Sequence, residues 1–226
     1  MTHVETEKTI YLLTIRGTLA PSTLEGARTI HNETAGADDN VAAARALGDL
    51  SHLVYINAGD EAAGELLIMD LWNSAQGLGS FFQNPQVQEQ GGRIFKTRDP
   101  VVWAPASEFF GFHILPPSGR NERFVGLIRG TVRSREAARE ALDSAQLKGI
   151  NRARRLGQIA HESYFRAARP GEPDTLEFLG VDIWSDGAGM KEFYSSMDHA
   201  GPVMQLFTAP PDASIWKQPA GRWVEW

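Results

Sequence analysis

The side chains in this sequence that are best suited to acid–base chemistry are its histidines, because the chain has no cysteine to serve as a nucleophile or thiolate ligand. His31 stands out because Leu24, Ala27 and His31 follow one another at helical spacing and form one stripe. The stripe predicts that the imidazole faces a sheet, where it needs a partner or a ligand. We therefore predict His31 as the catalytic base, with the adjacent Asn32 as a substrate-binding residue.

The chain also carries an internal duplication. The tetrapeptide IRGT at 15–18 recurs at 128–131, and residues 67–82 align with 179–194 at an offset of 112. About one identity is expected by chance in such a stretch. The period exceeds the roughly 20–50 residues of solenoid repeats, so each copy is a domain-sized unit. The identical pairs are Leu67/Leu179, Asp70/Asp182, Trp72/Trp184, Gly77/Gly189 and Phe81/Phe193.

The duplication separates candidate functional residues from structural ones, since residues kept in both copies are expected to serve the fold. His31 aligns with Ser144, so we expect the larger ligand pocket in the first copy and closer packing in the second copy at Ser144 and Ala145. His52 and His161 match each other, and each is either a hydrogen-bonded strand histidine or a ligand contact. We keep His52 as a substrate-binding candidate and treat His161 as a structural control.

Composition and missing motifs exclude several function classes. The formal net charge is −6, and the densest cationic run, at 152–155, fits a solvated helix face, so no nucleic-acid partner is expected. The polar start and the short first apolar stretch predict neither a signal peptide nor a membrane span, and hence a cytoplasmic protein. No dinucleotide-binding, P-loop, hydrolase or metal-ligand motif is present, which predicts no cofactor and no metal.

Each copy has the same predicted order of elements. The first strands are predicted at 10–17 and 123–130, and the helical stretches that follow them are interrupted near Gly36 and Gly149. Two strands, a second helix and a last strand complete each copy. This order is βαββαβ, the ferredoxin-like arrangement.

The predicted fold is therefore α+β, with two tandem ferredoxin-like repeats at 1–115 and 122–226 joined by a linker at 116–121. A lone unit of this kind leaves one face of its sheet bare. We expect the two sheets to pack on each other as an intramolecular dimeric α/β barrel. The chain is then predicted to be a monomer or a weak homodimer, because its own second copy closes the barrel.

A short motif at the end of the third strand points to a family. The residues IMDLWNS at 68–74 and GVDIWSD at 180–186 resemble the acidic-x-Trp-x-Ser pattern of antibiotic-biosynthesis-monooxygenase-like proteins, in the dimeric α/β-barrel superfamily. The resemblance implies a monooxygenase-like enzyme that acts on a hydrophobic aromatic or polyketide-like small molecule without a tightly bound cofactor. It also implies a pocket walled by the substrate-binding residues Trp72, Phe81 and Phe82. The structural alternative is a Trp that packs on the sheet beside a paired Asp.

Two other functions stay open. A non-catalytic small-molecule binding protein would keep this fold and lack a reactive group. A haem-binding protein similar to chlorite dismutases would use a histidine of the second unit as its iron ligand, and His161 and His199 are the candidates. Haem-degrading relatives combine the Trp with an Asn on the first strand, and both copies lack that Asn.

Overall fold

The computed structural model describes residues 9–59, 64–115, 122–168, 171–196 and 203–226. The chain forms two compact units. The first contains Met1–Val54, Gly64–Ala104 and Ala220–Trp226, and the second contains Tyr55–Ala63 and Pro105–Pro219. The predicted linker at 116–121 lies outside the described residues. The repeat boundaries at 1–115 and 122–226 stay a prediction for the sequence copies, and residues 55–59 and 220–226 belong to the unit that is formed mainly by the other copy.

The first unit is a four-stranded sheet with helices. Its strands lie in the order β4-β1-β3-β2, and β1 pairs antiparallel with both β3 and β4. Residues 55–57 of β2 belong to the second unit. The elements in chain order are β1 (Tyr11–Leu19), α1 (Leu24–Glu33), α2 (Asp38–Ala46), β2 (Asp49–Asn57), β3 (Glu65–Trp72), α3 (Ala75–Gln83), α4 (Pro85–Ile94) and β4 (Phe95–Pro105).

The second unit repeats this order. Its strands lie in the order β9-β6-β8-β7-β5, and the end of β2 pairs with β9 through Ile56 and Asn57. The α+β class and the tandem ferredoxin-like order predicted from the sequence are confirmed. The elements are β5 (Phe112–His113), β6 (Phe124–Thr131), α5 (Arg135–Arg155), β7 (Gln158–Arg166), β8 (Glu177–Trp184), α6 (Gly187–Ser195) and β9 (Asp212–Lys217).

The two copies differ where the first helix was predicted to break. In the first unit the chain breaks between α1 and α2 at Gly36, where a Cβ atom would lie 2.6 Å from Val224. In the second unit α5 continues through Gly149, so the predicted interruption there is wrong. One glycine costs a helix only about 1 kcal/mol relative to alanine, and the good helix formers around it outweigh that cost. The short helix α4 was not predicted.

The helix that follows the third strand, α3 in the first unit and α6 in the second, begins in the same way in both units. Ser74 accepts a hydrogen bond from the Gly77 amide in the first unit, and Asp186 accepts one from the Gly189 amide in the second. Each glycine packs against a backbone carbonyl, and a Cβ atom would lie 1.8 Å from the Leu47 oxygen at Gly77. The Gly77/Gly189 identity is thus explained by close approach of two backbones. In the described part of the chain, no helix is long and apolar enough to span a membrane.

We expect Gly77→Ala to destabilise the protein by at least about 2 kcal/mol, because the backbone must shift to admit the methyl group. The matched control is Gly79→Ala in the same helix, where a Cβ atom would meet nothing within 4 Å. That variant is expected to be stabilised by about 0.5–1 kcal/mol. Urea unfolding compares the two, and equal free energies of unfolding would contradict the packing argument.

Candidate functional site

Each unit places a histidine beside an aspartate on neighbouring strands. In the second unit β7 and β8 are antiparallel partners, and His161 lies directly opposite Asp182. The distance from His161 Nδ1 to Asp182 Oδ1 is 2.6 Å. In the first unit the matching distance, from His52 Nδ1 to Asp70 Oδ1, is 2.8 Å. The two pairs occupy equivalent positions in the two copies. Their hydrogen-bonding partners can therefore be compared directly.

In the first unit, other side chains occupy the remaining hydrogen-bonding position of the His52–Asp70 pair. His31, which is fully buried, lies on α1 with its Nε2 atom 2.8 Å from His52 Nε2. The other ring nitrogen of His31 lies 3.1 Å from Asn32 Oδ1. Because that amide oxygen can only accept, His31 carries its proton on Nδ1 and receives a hydrogen bond from His52 at Nε2. Both nitrogens of both rings are therefore in use.

The protonation states follow from this chain of hydrogen bonds. Burial, followed by the neighbouring His52, lowers the pKa of His31 to about 4, so His31 is neutral at physiological pH. Burial, the largest single effect, opposes a charge on His52, but Asp70, together with Asp49 and Glu225, outweighs burial and raises the pKa of His52. The hydrogen bonds point the same way, because His52 donates from Nε2 to the acceptor nitrogen of His31 and from Nδ1 to the Asp70 carboxylate, as an imidazolium does. The first unit holds a buried ion pair with a neutral imidazole beside it.

The segment 220–226 covers this ion pair. The Trp226 ring stacks on His52 with a centroid distance of 4.6 Å, and Trp223 packs on His31 at 5.0 Å. The backbones of His52 and Trp226 exchange two hydrogen bonds. The Asn32 amide donates to the Arg222 carbonyl and accepts from the Val224 amide. Asn32 therefore holds the covering segment in place.

The pair of the second unit is arranged differently. Asp182 accepts three hydrogen bonds, because Gln158 donates at 2.7 Å and the Tyr194 hydroxyl at 2.7 Å in addition to the bond from His161. Gln146 on α5 donates to Gln158 at 3.3 Å. In the described ranges, His161 Nε2 has no hydrogen-bonding partner. One imidazole nitrogen is thus left available to a ligand.

The electrostatics of His161 suit a proton acceptor. Burial, the largest single effect, opposes its charged form, but the adjacent Asp182 carboxylate, together with Asp143 and Glu162, outweighs burial and raises the pKa of His161 above the ordinary value of 6.5. The carboxylate also fixes the tautomer, since a neutral His161 that donates from Nδ1 must carry its lone pair on Nε2. A proton taken up at Nε2 gives an imidazolium stabilised by Asp182.

His161 lines a cavity of about 360 Å³ in the second unit, whereas His52 lines one of about 80 Å³ in the first. The expectation of the larger pocket in the first copy is therefore wrong, and Ala145 lines the larger cavity instead of filling it. An open groove of about 970 Å³ elsewhere in the second unit contains neither pair. The two cavities are equivalent, because both are lined at matching positions: Ile15/Ile128, His52/His161, Ile68/Gly180, Asp70/Asp182, Phe81/Phe193 and Phe82/Tyr194.

Two glycines account for part of the difference in volume. Gly180 stands where the first copy has Ile68, and both residues line their cavity. Gly126 stands where the first copy has Leu13, and it lies opposite Asp182 across the β6–β8 pairing. Two large aliphatic side chains are thus replaced by hydrogen atoms on the sheet of the second unit.

The predicted site residues divide into two groups. His52, Phe81 and Phe82 line the small cavity of the first unit. His31, Asn32 and Trp72 do not line it, and Trp72 is fully buried against the two phenylalanine rings. Their functional roles stay predictions.

Sequence reasoning treated the second copy as structural and so missed the cavity residues there. The available signal was the pair of glycines Gly126 and Gly180, which replace large aliphatic residues of the first copy.

Comparison with known proteins supports the fold. No protein-family model matches the chain, and no curated protein matches it. An anthrone oxidase-like protein superposes with a TM-score of 0.64 at 15% identity, covering 97% of this chain and 94% of its own. A putative monooxygenase from Lactobacillus acidophilus gives 0.60 at 10% identity, covering 94% and 97%. Chlorite dismutase from Candidatus Nitrospira defluvii gives 0.56 at 11% identity, covering 95% and 93%.

The chain therefore shares its α+β fold with these solved structures, in agreement with the fold class predicted from the sequence. At these identities the likeness defines the fold, and the chemistry must be argued from the residues of this chain.

A haem does not fit the residues of the second cavity. His161 has the arrangement of an iron ligand, with Nδ1 on a carboxylate and Nε2 available. The described lining, however, offers neither Lys nor Arg to pair with two propionates, and it includes the Asp182 carboxylate. The other candidate ligand, His199, lies outside the described residues. No grouping of three or more metal-ligating side chains occurs in the described part of the chain.

The buried Asp49 of the first unit predicts a pH-dependent stability. Burial, followed by repulsion from Asp70, raises the pKa of Asp49 from 3.8 to about 7. The folded chain therefore holds a proton that the unfolded chain releases, so the stability from Asp49 is full below pH 3.8 and lost as the pH rises through about 7. We expect Asp49→Asn to stabilise the protein at about pH 8 and to have little effect at about pH 4.

Urea unfolding at the two pH values measures this difference. Glu89→Gln, at an exposed helix position, is the control and is expected to change stability by less than about 0.5 kcal/mol at either pH. If Asp49→Asn stabilised the protein equally at both pH values, the raised pKa of Asp49 would be contradicted.

Proposed function

We propose that this protein is a cofactor-independent monooxygenase whose active site is the cavity of the second unit, with His161 as the base. The observation that carries the proposal is the contrast between the two histidine–aspartate pairs. His52 is capped by His31 and covered by Trp226, whereas His161 keeps a free Nε2 atom on a cavity of about 360 Å³. A largely buried base with one available lone pair is what proton abstraction requires.

The cavity favours a flat, largely apolar substrate. Its wall is built from aliphatic and aromatic side chains, including Phe178, Phe193 and Tyr194, and its volume lies in the lower range of small-molecule sites, about 300–1,000 Å³. Polar groups are few, with His161 and Gln146 among them. A fused aromatic ring system with one acidic hydroxyl matches this lining, and anthrone, which exists partly as the phenolic tautomer anthranol, is the test substrate.

The reaction balances with dioxygen as the only oxidant. His161 Nε2 takes the phenolic proton, and the anion carries negative charge to the ring carbon opposite the oxygen. That carbon forms a bond to dioxygen, and the imidazolium returns the proton to the distal peroxide oxygen. The hydroperoxide then loses its carbon-bound hydrogen and its distal OH as water, which leaves a carbonyl. One substrate and one O₂ thus give one quinone and one water, and the apolar cavity protects the anion from competing protonation.

The alternative base is His31, as predicted from the sequence. That assignment requires a proton acceptor that is fully buried, bonded at both nitrogens and lowered in pKa to about 4. An acceptor of such low basicity has little driving force to take a phenolic proton. The geometry therefore favours His161.

We expect His161→Ala to lower kcat for anthrone oxidation by about 10²–10⁴-fold, measured as oxygen uptake, because the positioned base is lost. In the wild type, turnover should rise with pH through the pKa of His161, which lies above 6.5. His113→Ala is the control, since His113 is exposed on β5 and is paired with Glu162. Its turnover should equal that of the wild type.

A folded His31→Ala protein tests the other assignment directly. Loss of turnover in that variant with full turnover in His161→Ala would return the base to the first unit. Binding of anthrone without oxygen uptake by the wild type would contradict the enzyme proposal and favour a small-molecule binding protein.

A further inference from the structure

Tyr194 differs from its counterpart in the first copy by one hydroxyl group. The equivalent position holds Phe82, and both side chains line the cavity of their unit. Each ring also packs on the tryptophan of the third strand, Trp184 in one case and Trp72 in the other, at 5.8 and 6.2 Å between centroids. The phenyl ring therefore serves the fold in both copies. The hydroxyl belongs to the second copy alone.

That hydroxyl donates to Asp182 Oδ2 at 2.7 Å, the oxygen that His161 does not use. Burial, followed by the Asp182 charge, raises the pKa of Tyr194 well above its ordinary value, so the phenol keeps its proton and remains a donor. Asp70 of the first unit has no such donor, since in the described residues only His52 donates to it.

The sheet beneath Tyr194 is shaped to admit this contact. A Cβ atom added to Gly126 would lie 2.3 Å from the Tyr194 hydroxyl and 3.0 Å from the ring carbon that bears it. The first copy has Leu13 at this position. The Tyr194 hydroxyl can therefore occupy its place only because residue 126 is a glycine and has no side chain there.

We propose that Tyr194 is a positioning residue for the His161–Asp182 pair, and that its hydroxyl sets how strongly His161 holds a proton. A donor on the second carboxylate oxygen withdraws negative charge from the oxygen that faces the imidazole, which weakens the hold on the imidazolium proton. This brings the base toward the neutral form that accepts a proton near pH 7. The inference rests on the proposed role of His161 as the base.

The other groups that act on His161 are acidic. Asp143 on α5 and Glu162 on β7 both favour its charged form, as does Asp182. Glu162 itself accepts hydrogen bonds from His113 and from the Tyr164 hydroxyl. Tyr164→Phe is therefore a matched control, because it removes a buried hydroxyl from a carboxylate near His161 without changing the bonds to Asp182.

The test is a titration of the histidine ring protons by NMR, with His161 assigned from the loss of its signal in His161→Ala. We expect Tyr194→Phe to raise the titration midpoint of His161 by about 0.5–1 pH unit, because one hydrogen bond to the carboxylate is lost. Gly126→Ala should raise it in the same direction by displacing the hydroxyl, and Tyr164→Phe should leave it within about 0.2 unit. The acid limb of kcat/KM for anthrone should move with the midpoint, with kcat changed more than KM near pH 7.

An unchanged midpoint in folded Tyr194→Phe would overturn the inference, as would a midpoint that moves while the acid limb does not. Failure of the proposed function has a different signature, because the wild type would then show no anthrone oxidation while the NMR midpoints still shift. Circular dichroism confirms that each variant is folded, and Phe82 already shows that a phenylalanine fits this position in a unit of this fold.

Discussion

A carboxylate buried in a sheet must receive hydrogen bonds, because an unpaired charge in such a place costs several kcal/mol. This constraint acts on the buried Asp70 and, less strongly, on the partly buried Asp182, where neighbouring strands bring the aspartate and a histidine together. The histidine donates a hydrogen bond from Nδ1 to one carboxylate oxygen, and this bond fixes the proton on Nδ1. The remaining polar groups around each pair follow from how each copy completes the hydrogen bonding.

The two copies meet this constraint in different ways. In the first, the pair is completed by burial: His31 caps the second nitrogen of His52, and Trp226 covers the ring. In the second, the neutral side chains of Gln158 and Tyr194 also donate hydrogen bonds to Asp182. The His161 ring bonds to Asp182 through Nδ1, and its Nε2 atom remains available. Under the proposed function, stability and chemistry are thus divided between the two units. Duplication permits this division, because one copy can keep the buried ion pair while the other keeps the cavity.

The fold could be predicted from the sequence because its signals are local. Apolar runs and the Gly77/Gly189 identity each reflect contacts that recur in both copies. The site could not be predicted to the same degree, since the cavity depends on positions where glycine replaces a large side chain of the other copy. His31 attracted attention as a histidine unique to one copy, but its partners lie far away in the sequence, at His52 and Trp223. The cavity depends on Gly126 and Gly180, whose effect is visible only once the strands are paired.

The central claim is that an aromatic ligand binds beside His161 in the second unit. The most direct measurement is NMR of the histidine rings during titration with anthraquinone, which has the shape of anthrone and no acidic hydrogen. We expect the His161 resonances to shift with saturation while those of His31 and His52, both buried in the first unit, stay unchanged. Shifts confined to His31 and His52, or no shift at concentrations where binding is detected by calorimetry, would contradict the account.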